Sequence, residues 1–370
     1  MLDRRIWRNF DPLLLLTAMV LMFIGVAMIH SATAQLDSEA GLWEQAAVRQ
    51  AIYGFAGLVI LFLVAGFNYR YLASMHWLLY VGMLVTLAAL FVVGHTSFGA
   101  TSWFHLSLFP IQPSELSKIV VVIFLAKYLS DHQEHMTSIV PVLVSLLFVA
   151  APIGLIYLQP DLGTAVVILA IWFGVVFAAG LRPAHIAVFA AISAVSAPAI
   201  WASMKGYMRE RILVFLNPAS DVSGISYNVQ QALISVGSGG LLGKGYGQGT
   251  QSQLYFLRVR HTDFIFSVLA EEFGFMGAIL LLTLFAVLLW RILRAASLAQ
   301  DAFGRLIAVG VATMIFFQAV VNIAVNVNLL PVTGLPLPFV SYGGSALTTM
   351  LIGVGLVENV VMRYRKLDFA

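Results

Sequence analysis

Ten stretches dominated by apolar side chains divide this 370-residue chain, and each is near the about 20 residues that a helix needs to cross a hydrocarbon core. They lie near Leu13 to Ile29, Ala46 to Ala65, Trp77 to Val93, Glu115 to Leu129, Ile139 to Tyr157, Leu162 to Ala179, His185 to Met204, Asp263 to Trp290, Leu306 to Leu330 and Val340 to Met362. Lipid offers no partner to backbone N–H and C=O groups, so such stretches must close their hydrogen bonds internally as helices. A hydrophobic share of 61% with only 10% charge excludes a water-soluble globule. The expected fold is an all-α polytopic membrane domain spanning residues 1–370, with ten transmembrane helices. The chain has no cysteine, which removes disulfides, thiol catalysis and Cys-ligated metals. Its net charge of +3 is too slight for a nucleic-acid binder.

An even number of spans puts both termini on one side, and Lys and Arg mark the cytoplasmic one. With the N-terminus inside, the inner segments hold Arg4, Arg5, Arg8, Arg70, Lys127, Arg182, Arg291, Arg294, Arg305, Arg363, Arg365 and Lys366. The short outer loops hold essentially none, since Arg49 and Lys118 sit at membrane edges. The remaining outward cations fall in one long segment between helices seven and eight, Ser203 to Thr262, and long loops cross regardless of charge. Basic residues, an apolar run and Ala32-Thr33-Ala34 also resemble a cleavable signal peptide. The run from Leu13 is long for that, and it is read as a retained first helix.

Sorted by face, the distinctive polar residues are concentrated outside, in four segments. Gln112-Pro113-Ser114-Glu115 opens the fourth helix, with Ser114 a candidate cap and Lys118 on the same face as Glu115. That pair either lets both charges enter the interface or contacts a ligand. Gln159-Pro160-Asp161-Leu162-Gly163 opens the sixth helix, where Asp161 either caps or binds. A Pro-rich approach from Pro331 to Pro338 precedes Ser341-Tyr342-Gly343-Gly344-Ser345, which allows close backbone approach or tight helix packing. The long segment carries two apolar stretches suited to interfacial helices, then a glycine-rich loop from Gly237 to Gly249. Ser238 and Gly245 break the Walker A pattern there, leaving a phosphate cradle assisted by Lys244 or a flexible hinge.

The long segment ends in Arg260-His261-Thr262-Asp263. Asp263, at the rim of an apolar span, is the expected general base: desolvation raises its pKa while Arg260 and His261 pull it back. Glu271 and Glu272 follow deep enough to need a cavity, a partner or protonation, and Glu358 reads as an interface residue at the cytoplasmic end. An outward-facing enzyme has no nucleotide supply, so a membrane-borne donor such as a lipid-linked sugar diphosphate fits the cations Arg49, Lys118, Lys244 and the arginines of the long segment, Arg209, Arg211, Arg258 and Arg260. A carboxylate beside a diphosphate also admits Mg²⁺ or Mn²⁺.

These motifs, with Gly249-Thr250-Gln251-Ser252-Gln253 and Ala270-Glu271-Glu272, resemble the SEDS family of shape, elongation, division and sporulation proteins over most of the chain. The resemblance implies a peptidoglycan glycosyltransferase of the bacterial cytoplasmic membrane. Such an enzyme polymerises lipid II outside, releases undecaprenyl diphosphate and works with a class B penicillin-binding protein in the elongation machinery. It implies Asp263 as the catalytic aspartate and substrate contacts at Arg49, Gln112, Glu115, Lys118, Asp161, Lys244, Arg260, His261 and Ser341. The short N-terminal tail and Gly334-Leu335-Pro336-Leu337-Pro338 favour the elongation branch. Two departures stand out: Pro110 and Ser102 replace family arginines, and Arg258-Val259 replaces a Pro-Glu pair. A lipid II flippase is the alternative, which should show midplane polar groups and paired discontinuous helices.

Overall fold

The protein is described by a computed structural model covering residues 7–34, 41–93, 95–97, 100–106, 109–204, 206–217, 224–254, 256–257 and 260–364. In chain order its helices are α1 (Pro12–Thr33), α2 (Ala46–Gly66), α3 (Arg70–Val93), α4 (Pro113–Asp131), α5 (Val140–Leu158), α6 (Leu162–Gly180) and α7 (Pro183–Ser203). Then follow α8 (Gly206–Leu216), α9 (Ile225–Ser238), α10 (Thr250–Gln253), α11 (Ile265–Leu298), α12 (Ala302–Asn326) and α13 (Gly344–Met362). Among the described residues, α1 to α3, α5, α6 and α11 to α13 make eight helices long and apolar enough to cross a membrane. Exposed leucines, phenylalanines and tryptophans ring α1, α2, α3 and α11, a surface that only lipid covers without aggregation. The chain is an integral membrane protein.

The interior is built around α12 and α13, with α13 laid along α2 and α12 against α11, α6 and α4. Helix α4 carries four charges, yet it is enclosed on nearly every side, with Asp131 at its end exposed. Its pairs at i,i+3 and i,i+4, Glu115–Lys118 and Lys127–Asp131, let the charges neutralise within the helix. Helix α3 starts at Arg70, well before the expected Trp77, because Arg70 pairs with Asp301 (3.2 Å) and Gln300 (3.0 Å) across the bundle end.

The all-α expectation needs one correction. Between α3 and α4 the chain forms antiparallel strands β1 (His95–Ser97), β2 (Ala100–Leu106) and β3 (Phe109–Ile111), with Ser102 in β2 and Pro110 paired with His105. Thr, Trp and Phe favour extended backbone, and the segment is too short for another span. Arg258 and Val259 lie outside the described residues.

Both ends of the described chain meet: Asn9 donates Nδ2–H to the Tyr364 carbonyl at 3.0 Å, and Glu358 accepts the Asp11 N–H at 3.0 Å. Glu358 is therefore a fully buried partner of the N-terminal segment, not an interface residue. Asp11 folds over it to cap α1 through Leu13 N and Leu14 N and to pair with Arg291. The polar motifs collect at the opposite bundle end.

Candidate active site

Asp263 lies half-buried in the turn leading into α11. Asn322 and Asn326, one turn apart on α12, each donate Nδ2–H to its backbone carbonyl at 2.9 Å. The two amides are then saturated elsewhere: Asn322 also reaches the Leu335 carbonyl (2.8 Å), and Asn326 Oδ1 accepts from Ser267 N (3.0 Å) and Oγ (2.6 Å). The Asp263 carboxylate makes no hydrogen bond to a described residue; burial pushes its pKa up, and the charge of Arg211 on α8 opposes the rise. The expected opposing charge was Arg260. Instead Arg260 is buried and turns its Nε–H to the Ala32 carbonyl at the end of α1. His261 sets its ring edge-on to Tyr342 at 5.7 Å.

Three short bonds draw the separate motifs together. Ser341 Oγ donates to the Thr262 carbonyl (2.6 Å), beside Asp263, and Tyr342 N donates to the His261 carbonyl (2.9 Å). Gln112 N donates to Ser345 Oγ at 2.9 Å, so the start of α4 is held by the start of α13. Asp161 then binds α4 to α6: Oδ2 accepts from Gln112 Nε2 (3.3 Å) and Ser114 Oγ (3.1 Å), while Oδ1 caps α6 at Thr164 N (3.0 Å). Asp161 thus both caps and cross-links. Ser114 is not the cap of α4, because Pro113 occupies the first helical turn and leaves the Ser114 hydroxyl free for Asp161. Gln50 on α2 completes the ring, donating to the Ser341 carbonyl (3.1 Å) and accepting from Gly343 N (3.1 Å). Arg49, its neighbour, is exposed and donates to the Trp43 carbonyl at 3.1 Å.

Glu115 and Lys118 form a buried pair at 2.7 Å, and Lys118 Nζ also donates to Gln318 Oε1 on α12 at 3.3 Å. The glycine-rich loop has a different task from a free cradle or hinge. Helix α11 is broken at Gly274, whose φ of 64° is left-handed. The loop splices the break: Lys244 N and Gly245 N donate to the Glu271 and Glu272 carbonyls (3.0 and 2.9 Å), and Phe275 N and Met276 N donate to the Gly240 and Leu241 carbonyls (2.9 and 3.1 Å). Lys244 Nζ pairs with buried Glu271 at 2.8 Å, so the partner required by that glutamate is this loop. Glu272 accepts from Ser31 Oγ on α1.

Sequence reasoning missed Gln50 and the polar stripe Gln318, Asn322 and Asn326 on α12, and it counted Arg211 only among the long segment's arginines suited to a diphosphate, not as the charge beside Asp263. The stripe was legible as polar residues at i, i+4 and i+8 within an apolar span; nothing in the sequence singles Arg211 out from the other arginines of that segment. Among the described residues no group of three or more His, Asp or Glu comes together to hold a metal ion.

A family model described as a cell cycle protein of the FtsW, RodA and SpoVE type matches residues 11–366. The chain belongs to this family. It is 38% identical to the stage V sporulation protein E of Bacillus subtilis over 95% of this chain and 96% of that one. It is also 38% identical to the peptidoglycan glycosyltransferase MrdB of Escherichia coli K12, over 95% and 93% of the two chains. Among solved structures, a chain of a peptidoglycan synthase complex that coordinates polymerization and crosslinking superposes with TM-score 0.82 at 34% identity, covering 95% of this chain and 97% of its own. The rod shape determining protein RodA of Thermus thermophilus superposes with TM-score 0.70 at 31% identity, covering 97% and 99%. Like that RodA, this FtsW/RodA/SpoVE member folds as a helical bundle over nearly its whole length. Near-equal identity to a sporulation relative and to MrdB leaves the branch undivided by overall likeness.

Proposed function

We propose that this glycosyltransferase polymerises lipid II into glycan strands at the outer face of the bacterial cytoplasmic membrane during cell elongation. The observation that carries the reading is Asp263, held by its backbone while its carboxylate carries no hydrogen bond from a described residue. A base placed this way is oriented without being neutralised. The acceptor 4-hydroxyl gives its proton to the Asp263 carboxylate, its oxygen attacks the anomeric carbon of the growing strand, and undecaprenyl diphosphate leaves. Arg49 and Arg211 present cationic donors for the diphosphate, while Gln112, Asp161, His261 and Ser341 frame the cleft. Glu115 and Lys118 shape its floor, and Lys244 and Arg260 anchor its walls. The meeting of both described termini at one bundle end supports an even number of crossings, here ten, with α4 and α7 included and residues 203–262 outside.

Two relatives are named peptidoglycan glycosyltransferase MrdB and probable peptidoglycan glycosyltransferase FtsW, and the match to a synthase complex supports a class B penicillin-binding protein as partner. The test is the purified protein with that partner and lipid II, with and without Mg²⁺ or Mn²⁺. Glycan product from wild type and none from Asp263→Ala is expected; equal product from both overturns the assignment. Translocation of lipid II across liposomes by the protein alone would instead favour a flippase.

A further inference from the structure

At the bundle end where the described termini meet, away from the polar ring, lies a cavity of about 350 Å³. Its wall comes from segments far apart in sequence: Asn9 to Pro12 before α1, Arg291 to Leu298 at the end of α11, and Val361 with Tyr364 at the end of α13. Asn9 closes the wall through its 3.0 Å bond to the Tyr364 carbonyl.

The cations in this wall are unequally used. Arg291 reaches Asp11 Oδ2 through Nε (2.8 Å) and Nη2 (2.5 Å), which leaves Nη1 available. Arg294, one turn further on, is exposed, and while its carbonyl accepts from Ser297 Oγ at 2.8 Å, its guanidinium has no hydrogen bond or ion pair with a described residue. Among the described residues, the nearby acids are paired or enclosed. Asp11 Oδ1 caps α1 at 3.2 Å while Oδ2 takes Arg291, and Glu358 is fully buried behind the Asp11 N–H. An anion reaching the cavity therefore meets Arg294 and Arg291 Nη1 first.

The surroundings specify the source of that anion. The flank beside the cavity is apolar and outward-facing: Leu16 on α1 is 54% exposed, and Trp290 and Leu293 on α11 are 57% and 52% exposed. Trp7 and Phe10 stack at 5.9 Å, and Arg291 lies 5.3 Å over the Trp290 ring. Tryptophans of this kind sit at headgroup level, and basic pockets between helix ends take anionic headgroups. We propose that the cavity binds the phosphate of an anionic phospholipid between Arg294 and Arg291, with its acyl chains lying along the α1 and α11 flank.

The test uses the full chain purified in zwitterionic detergent, with dioleoylphosphatidylglycerol, dioleoylphosphatidylcholine or inorganic phosphate added separately. Native mass spectrometry is expected to retain phosphatidylglycerol in preference to phosphatidylcholine, and only phosphatidylglycerol should raise the melting temperature. Arg294→Gln should lower phosphatidylglycerol retention about fivefold, the effect of one surface cation, while Arg294→Lys keeps most of it. The Arg294 guanidinium has no partner among the described residues to lose, so the lipid-free melting temperature of both variants should match wild type. Equal retention of the two lipids, or undiminished retention by Arg294→Gln, overturns the proposal. Protection by inorganic phosphate equal to that by phosphatidylglycerol overturns the lipid assignment in favour of a soluble phosphate.

Discussion

Asn326 holds Asp263 by its main chain: the Asn326 Nδ2–H donates to the Asp263 carbonyl at 2.9 Å, and the Asp263 carboxylate is left without a hydrogen bond from a described residue. The separation of anchor from reactive group makes the role of Asp263 testable by the mildest substitution. Asp263→Asn keeps the shape and the backbone anchor but removes the proton acceptor. Polymerisation of lipid II should fall about 10²–10⁴-fold while the melting temperature stays within a degree or two of wild type. Retained activity would remove the general-base role.

The anchor itself predicts a different phenotype. Asn326→Ala deletes the bond to Asp263 and strips Ser267 N and Oγ of their acceptor in a buried site. A loss of about 1–3 kcal/mol is expected for leaving such groups unpaired. Thermal unfolding in detergent measures it, with reduced turnover alongside. A fully stable variant would mean that Asn322 alone holds the turn.

With Asp263 as the proposed base, the acid limb of the rate profile should follow its ionisation. Burial holds its carboxyl above the ordinary carboxylate range, and Arg211 draws it back down. A base works only when ionised, so turnover declines as pH falls through this raised value. Arg211→Gln removes the opposing charge, so the limb should move to higher pH. Initial rates at saturating lipid II across a pH series decide this, and a limb that stays in place or moves down contradicts the pairing.

The Glu115–Lys118 pair is fully enclosed, with Gln318 as its remaining contact. Glu115→Leu alone should cost about 3–5 kcal/mol because it strands a buried ammonium. Replacing both, Glu115→Leu with Lys118→Met, should recover most of that stability. Comparing melting temperatures with polymerisation rates then separates support from substrate contact. A stable but inactive double variant assigns the pair a role in the reaction.

Gly274 marks where α11 is broken and respliced. A Cβ there would lie 2.4 Å from Gly243 N and 2.7 Å from Leu241 C, on a backbone with φ of 64°. Gly274→Ala should destabilise by more than the about 1–2 kcal/mol of the left-handed backbone alone, since main chain cannot yield as a side chain can. A melting temperature equal to wild type would mean that the loop stands further from the helix.

Much of this architecture is legible in the order of residues. Apolar runs placed most of the main helices to within a turn or so, because lipid enforces internal hydrogen bonding wherever such runs occur, although α11 runs on to Leu298, two turns past the expected Trp290. Exceptions arose where a distant partner changed the local balance: Asp301 lets α3 begin at polar Arg70, and Glu358 is buried because Asp11 folds over it. The strands between α3 and α4 escaped notice because the segment lacks the length and period that make spans conspicuous.

The sequence by itself determined that this chain is a multi-helix membrane protein with its chemistry-bearing motifs in a few polar segments, since hydropathy and motif spacing are local properties. Only the tertiary structure decided how those residues divide their work. Asp161 bridges Gln112 and Ser114 while capping α6, Lys244 serves Glu271 at a helix break, and Arg211 takes the electrostatic place beside Asp263 expected of Arg260. The reason is physical. A hydrogen bond or ion pair forms between groups a few ångströms apart in space, and helices that pack side by side bring together residues whose separation along the chain carries no trace of that meeting.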